Sequence, residues 1–214
     1  MLNAVKDLGA VTYGAEEEAA TLAAILLHGR WESPAHMTEI AGRIAATDVS
    51  YFALPAPGST WYPESFLAPV EANRAELEDS LHRVDQLVRD LQARGWGRNR
   101  ILLIGYSQGA CLASEYVWRN PDRWAGLVAF TGGLIGPPGT EWPPKGDLQD
   151  TPVLLTSGDA DPFVPWSRVE ETAAAFRAAG ADVQTRVYPG REHLVSDDEC
   201  ALAAALIGKA AHRD

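Results

Sequence analysis

The 214-residue sequence predicts a single-domain α/β fold, with a mostly parallel, twisted sheet and helices on both of its faces. Short aliphatic runs alternate with longer helical patterns, and most of the runs are continuously apolar, as in strands buried on both faces. The length suits one core, and apolar and charged residues make up 46% and 22% of the chain, as in ordinary globular proteins. The predicted strands are residues 21–28, 49–54, 100–105, 124–130, 152–157 and 182–188, with residues 11–13 as a candidate edge strand.

The predicted helices are delimited by capping residues and prolines. Ser33-Pro34 places a capping residue before a proline at the first helical position, which predicts a helix to about Ala46. Residues 71–94 carry one apolar stripe at three- and four-residue steps. Ser167-x-x-Glu170 and Ser196-x-x-Glu199 both fit the capping box and predict the starts of the last two helices.

Charge and hydropathy argue against several classes of partner. The net charge of −11 would repel a nucleic-acid backbone, and the most basic stretch, residues 94–100, is diluted by glycines. The longest aliphatic stretch, residues 22–27, is too short to span a bilayer, and residues 1–10 lack the pattern of a signal peptide. We therefore expect no nucleic-acid or membrane partner and a cytoplasmic location. Cys111 and Cys200 are expected to be buried, not to form a disulfide framework.

One short motif points to a nucleophilic serine. Gly105-Tyr106-Ser107-Gln108-Gly109 fits G-x-S-x-G, which alone is a weak signal because it can arise by chance. Here an aliphatic strand, residues 101–104, precedes it and a helical pattern, residues 110–119, follows it. A strand–turn–helix elbow pushes the serine hydroxyl out above the sheet, and the flanking glycines prevent collisions with the neighbouring strand and helix. This context favours a nucleophile over a glycine-rich turn with an incidental serine.

A serine nucleophile needs a base, and the chain offers five histidines: His28, His36, His82, His193 and His212. His193 follows the strand at 182–188 and so lies at the carboxyl edge of the predicted sheet, where catalytic groups gather. The other four fall in amphipathic helices, in the last few residues, or, for His28, at the end of a strand. His193 is therefore the predicted base.

The third catalytic group should follow another strand, between the serine and the histidine in the chain. Asp159 and Asp161 both follow the strand at 152–157. Asp159 comes after a glycine and is expected to shape the turn. Asp161 precedes a proline, which favours an extended backbone and a projecting side chain, so it is the preferred candidate. The order Ser107, Asp161, His193 is that of the α/β-hydrolases.

An oxyanion hole requires two backbone N–H donors near the serine. The residue after the nucleophile, Gln108, supplies one, and Arg30, in the loop after the strand at 21–28, is expected to supply the other. His28 then braces this loop. A metal site made by His28 and His36 is disfavoured because no third ligand has suitable spacing, and no metal is expected.

Six segments together resemble the phospholipase/carboxylesterase family of α/β-hydrolases, whose relatives include the acyl-protein thioesterases. They are residues 26–30, 60–63, 105–110, 131–134, 158–165 and 190–193, and the resemblance covers nearly the whole chain. It implies an esterase without metal, cofactor or large cap domain, acting on small acyl or aryl esters. The family's triad positions match Ser107, Asp161 and His193.

The chain departs from the family pattern at Trp31, where family members usually have a small residue, often glycine. An indole there could wall off the acyl pocket, stack on an aromatic ester, or turn away beneath the loop at 55–69. By the same resemblance, Phe163 and Leu134 are expected to line the acyl side of the pocket and Trp61 the opposite wall.

The predicted function is hydrolysis of short-acyl or aryl carboxylic esters through an acyl-enzyme, with a small-molecule ester as the partner. An acyl-thioesterase or lysophospholipase would use the same machinery. A non-catalytic binding protein is disfavoured because all three triad positions are filled. The aromatic loop at 55–69 could form a dimer contact as readily as a substrate wall, so both a monomer and a homodimer remain open.

Overall fold

The computed structural model describes residues 4–212 and places seven strands in one sheet. Their order across the sheet is 1-3-2-4-5-6-7. The first strand pairs antiparallel with the third, and all other neighbours are parallel. The strands are β1 (Val11–Gly14), β2 (Leu22–Leu27), β3 (Val49–Leu54), β4 (Ile101–Tyr106), β5 (Gly126–Phe130), β6 (Pro152–Gly158) and β7 (Asp182–Tyr188). The predicted mostly parallel sheet is confirmed, including its edge strand β1.

Helices cover both faces of the sheet. Those of the described residues are α1 (Ala4–Asp7), α2 (Pro34–Ile44), α3 (Arg74–Ala93), α4 (Gln108–Arg119), α5 (Trp166–Ala178) and α6 (Asp197–Ala211). Successive side chains of a strand point to opposite faces. In β2, Ala23, Ile25 and Leu27 accordingly join the core beneath α3, α4 and α5, whereas the alternate residues join the core beneath α2 and α6.

Two helix starts differ from the sequence-based expectation. The capping box at Ser196 is present, with its side chain accepting from the Glu199 N–H. The predicted box at Ser167 is wrong, because α5 already begins at Trp166 and its capping position is Pro165. The extended backbone that Pro165 adopts starts the helix before Ser167 is reached. The stripe predicted from residue 71 begins as a short 3-10 turn, Val70–Ala72, before α3.

The register of the parallel strands aligns their carboxyl ends. Leu27 of β2 lies opposite Gly105 of β4, Tyr106 of β4 opposite Phe130 of β5, and Gly158 of β6 opposite Tyr188 of β7. The turns that leave β2, β4, β6 and β7 therefore meet at one edge of the sheet. Residues 131–151, which follow β5, contain neither helix nor strand and build no helical cap over this edge. Within residues 4–212, no helix combines the length and hydrophobicity needed to cross a membrane.

Candidate active site

Ser107 occupies a strained turn between β4 and α4. Its backbone angles are φ 54° and ψ −119°, which side-chain-bearing residues rarely adopt, and its N–H donates to the Phe130 carbonyl at 2.9 Å. The two flanking glycines are sterically required. A Cβ on Gly105 would lie 2.3 Å from the Gly109 carbonyl oxygen, and a Cβ on Gly109 would lie 2.1 Å from the Leu27 carbonyl oxygen. The expected elbow is therefore built by close backbone packing.

A continuous chain of hydrogen bonds connects the three predicted triad residues. Ser107 Oγ lies 2.8 Å from His193 Nε2, and His193 Nδ1 lies 2.7 Å from Asp161 Oδ2. The imidazole can therefore donate from Nδ1 to the carboxylate while Nε2 accepts from the serine hydroxyl. This is the geometry that a serine nucleophile and its base require.

Asp161 is held as an ionised acceptor. Burial of its side chain raises its pKa, but hydrogen bonds from His193 and from the N–H groups of Phe163 and Val164 outweigh this effect and leave the pKa below its usual range. Asp159 instead stabilises a turn. Its Oδ1 accepts from the Gly190 N–H at 2.6 Å, which links the turn after β6 to the turn after β7. Of the two aspartates, Asp161 is therefore the one that contacts His193.

Buried polar groups fix the loop that carries His193. The Tyr106 hydroxyl donates to the His193 carbonyl at 3.2 Å. Behind the loop, Glu199 is fully buried and accepts hydrogen bonds from Thr156, from both the N–H and the hydroxyl of Ser196, and from Arg191. A buried carboxylate is stable only when it is paired and hydrogen-bonded. The same capping box that starts α6 therefore also anchors the loop of the base.

The loop after β2 brings Arg30 to the same edge. His28 is buried; its Nε2 accepts from the Ala56 N–H at 3.0 Å, its Nδ1 lies 2.7 Å from the Gly29 carbonyl, and burial lowers its pKa. His28 therefore braces the loop, and both ring nitrogens are used within the protein. The guanidinium of Arg30 donates to carbonyls of residues 62–64. Among the hydrogen bonds of residues 4–212, none uses the backbone N–H of Arg30 or of Gln108.

The side chain of Gln108 has a role that the sequence did not reveal. Its Oε1 accepts from the Trp61 N–H at 2.9 Å, and its Nε2 donates to the Tyr62 carbonyl at 2.7 Å. Both bonds are buried and join the elbow to the loop at 55–69. A glutamine after the serine therefore positions the aromatic loop over the site.

A pocket of about 430 Å³ opens beside Ser107. Of the four predicted lining residues, Trp31 and Phe163 lie on its wall, but Trp61 and Leu134 do not. Trp61 is 1% exposed; its indole N–H donates to the His28 carbonyl, and its ring packs on the His28 imidazole at 5.1 Å. Leu134 is fully buried in the core. The expectation for these two is corrected, because core packing holds both side chains away from the pocket.

Four further apolar residues line the pocket: Tyr62, Phe66, Cys111 and Val164. Tyr62 and Phe66 belong to the loop at 55–69, for which a substrate wall was one of the two expectations, but none of the four was named as a lining residue. Cys111 carries a signal, since it lies four residues after Ser107 and thus one helical turn along α4. Burial raises the pKa of its thiol to about 11, so Cys111 is a neutral wall residue. The loop residues carry no comparable signal, because irregular backbone has no fixed side-chain periodicity.

Trp31 has an unusual conformation. Its φ is 63°, in the left-handed region that favours glycine, and its side chain is 74% exposed. The backbone N–H donates to the Ser59 carbonyl at 2.7 Å, which connects the turn to the loop at 55–69. The indole is therefore not packed beneath that loop, which excludes one of the three orientations considered for it.

A parallel sheet with a serine at a strand–turn–helix elbow, and an acid and a histidine after later strands, defines an α/β-hydrolase. The model of the phospholipase/carboxylesterase family matches residues 9–210. The chain belongs to this family.

Individual relatives agree with this assignment. The crystal structure of a phospholipase/carboxylesterase from Dyadobacter fermentans is 38% identical, with a TM-score of 0.88 over 92% of this chain and 95% of that one. Acyl-protein thioesterase 1 of Eremothecium gossypii is 26% identical over 92% of this chain and 91% of its own length. The putative esterase NocK of Nocardia uniformis is 29% identical over 74% of this chain, and the matched region covers only 45% of the length of NocK.

Proposed function

We propose that this protein hydrolyses small carboxylic esters through an acyl-enzyme formed on Ser107. The observation that carries the proposal is the hydrogen-bonded chain from Ser107 Oγ through His193 to Asp161, with distances of 2.8 and 2.7 Å. Membership of the phospholipase/carboxylesterase family and relatives that are named as esterases support it.

In the acylation step, Ser107 Oγ attacks the ester carbonyl while His193 Nε2 accepts the hydroxyl proton. The imidazolium that results is stabilised by the ionised Asp161, whose pKa lies below its usual value. His193 then donates this proton to the leaving alkoxide, and the C–O bond breaks. In deacylation, water attacks the acyl-enzyme with His193 as base, which releases the acid and restores Ser107.

The negative charge on the carbonyl oxygen is assigned to the backbone N–H groups of Gln108 and Arg30. Gln108 follows the nucleophile at the start of α4, and Arg30 lies in the loop after β2, beside the pocket. Each donor of this kind contributes about 3–4 kcal/mol to transition-state stabilisation. The protein groups named here perform every proton transfer, so the mechanism calls for no metal or cofactor.

The size of the pocket favours small substrates. Its volume of about 430 Å³ lies near the lower end of the range of small-molecule sites, which is roughly 300–1,000 Å³. Tyr62, Phe66 and Cys111 are buried residues of its wall, and packed side chains of this kind limit the room for a long acyl chain. We therefore propose short-acyl or aryl esters as substrates, in preference to long-chain thioesters or lysophospholipids.

Kinetics with a series of acyl groups test both parts of the proposal. The wild type should hydrolyse acetyl and butyryl esters with higher kcat/KM than octanoyl or palmitoyl esters or the matching thioesters. Ser107→Ala should lower kcat by about 10⁶ while the circular dichroism spectrum is unchanged. Activity that rises steadily with acyl length would contradict the substrate class. Near-native turnover by Ser107→Ala would contradict the mechanism.

A further inference from the structure

Two exposed aromatic side chains stand at the mouth of the pocket. Among the described residues, Trp31 and Phe163 are the most exposed of the large apolar side chains, at 74% and 66%, and both line the pocket that contains Ser107. Exposed apolar groups that adjoin a site indicate contact with a ligand more often than isolated ones do. These two side chains contribute little to the core.

Phe163 lies beside the base. Its ring is in edge contact with the His193 imidazole, with ring centroids 5.1 Å apart and an angle of 74° between the planes. During acylation the oxygen of the leaving alcohol must come within hydrogen-bonding distance of His193 Nε2 to receive its proton. The group attached to that oxygen is therefore brought to the side of the pocket where Phe163 lies. Phe163 is thus assigned to the alcohol side, and not to the acyl side that the family resemblance implied. The acyl group stays on Ser107 as the acyl-enzyme.

The backbone conformation at Trp31 is unfavourable for a residue with a side chain. A φ of 63° is readily adopted by glycine but strains a residue with a Cβ, and most of the indole makes no contact with the rest of the protein. Such strain persists at functional sites more often than elsewhere. A large aromatic group retained at a strained and exposed position is explained if it contacts the substrate.

The charge of the protein disfavours an anionic occupant. The guanidinium of Arg30, the cation on the pocket wall, is already bound to three carbonyls of the loop at 55–69. The net charge of −11 would oppose the approach of an anionic alcohol.

We propose that Phe163 and Trp31 form a binding site for the alcohol half of the ester, and that this site selects an aromatic alcohol that carries no negative charge. This inference rests on the proposed ester hydrolysis and adds which half of the substrate is recognised, and by which residues.

Benzyl acetate and ethyl acetate test the proposal, because they share the acyl group and release alcohols of similar basicity. The wild type should prefer the benzyl ester in kcat/KM. Phe163→Ala and Trp31→Gly should each lower the benzyl-to-ethyl ratio of kcat/KM about three- to tenfold, the loss expected for one aromatic contact. Leu194→Ala is the matched control, since Leu194 is also exposed but is not part of the pocket wall, and it should leave the ratio unchanged.

Trp31→Gly provides a second, independent readout. Because glycine adopts the left-handed conformation without strain, this variant should unfold at a higher urea concentration than the wild type while it loses selectivity. A lower unfolding midpoint would mean that the indole serves the fold and would overturn its assignment to the site.

Three further results separate the alternatives. An unchanged benzyl-to-ethyl ratio in both variants would overturn the proposal. A loss of kcat/KM in these variants that appears with ethyl phenylacetate, which carries the ring on the acyl half, and not with benzyl acetate would also overturn the proposal. A wild type that hydrolyses none of these esters would contradict the proposed function itself.

Discussion

Replacement of Gly109 by alanine tests how the elbow holds the site together. Gly109 lies in the first turn of α4, against the end of β2. The added Cβ would lie 2.1 Å from the carbonyl oxygen of Leu27 and 2.6 Å from that of His28. All of these neighbours are backbone atoms, so no side-chain rotation relieves the collision.

The expected loss of kcat follows from the distance by which α4 and the end of β2 must move apart. Ordinary contact begins at about 3.5 Å, so α4 and the end of β2 must separate by more than about 1 Å. The N–H of Gln108 lies on one of these segments, and the N–H of Arg30 follows the other. A misplacement of about 1 Å costs on the order of 10²-fold, and loss of one oxyanion donor about 10²–10³-fold. We expect kcat to fall 10²- to 10⁴-fold and the free energy of unfolding to fall by about 1–3 kcal/mol.

The assay measures kcat for hydrolysis of an aryl ester with a short acyl group, and urea unfolding measures the stability. Gly208→Ala is the matched control, because Gly208 lies in α6 with nothing within 4 Å of the added Cβ. It should leave kcat unchanged and increase stability by about 0.5–1 kcal/mol, since alanine favours the helix. A folded Gly109→Ala variant with wild-type kcat would refute the view that close packing at the elbow sets the oxyanion geometry.

Three other expectations follow from the structure. Asp161→Asn should lower kcat about 10⁴-fold at unchanged fold, whereas Asp159→Asn, which alters a turn, should cost less than tenfold. In urea unfolding, Ser196→Ala should lose about 1 kcal/mol with its capping box, and Ser167→Ala, at a position that caps nothing, should stay within about 0.5 kcal/mol of the wild type. Folding lowers the pKa of His28, so the unfolded chain binds a proton at this residue more tightly than the folded protein does. The stability that neutral His28 contributes is therefore complete above about pH 6.5 and is lost as the pH falls below that value. His28→Gln should flatten this part of the plot of stability against pH. Equal loss in each matched pair, or an unchanged pH profile in His28→Gln, would contradict these assignments.

The sheet and the hydrogen-bonded chain of Ser107, His193 and Asp161 could be predicted from the sequence. Buried parallel strands leave continuous apolar runs, and their carboxyl ends share one edge. Once Ser107 is placed at an elbow, the residues that follow later strands must lie near it. His193 and Asp161 could therefore be named before their distances were known.

The pocket wall could not be predicted in the same way. Trp61 and Tyr62 are adjacent in the loop at 55–69, yet Tyr62 lines the pocket while Trp61 packs on His28. Which of two neighbouring aromatics turns inward depends on the buried hydrogen bonds from Gln108, which no local pattern encodes. The false capping box at Ser167 has a similar cause, because a short motif does not show where the backbone becomes helical.

Covalent labelling with a fluorophosphonate tests the activated serine most directly. We expect one adduct by intact-protein mass spectrometry, with the label mapped to Ser107 and absent in His193→Ala. Folded protein that takes up no label, or takes it up at another residue, would contradict the assignment of Ser107 as the nucleophile and His193 as its base.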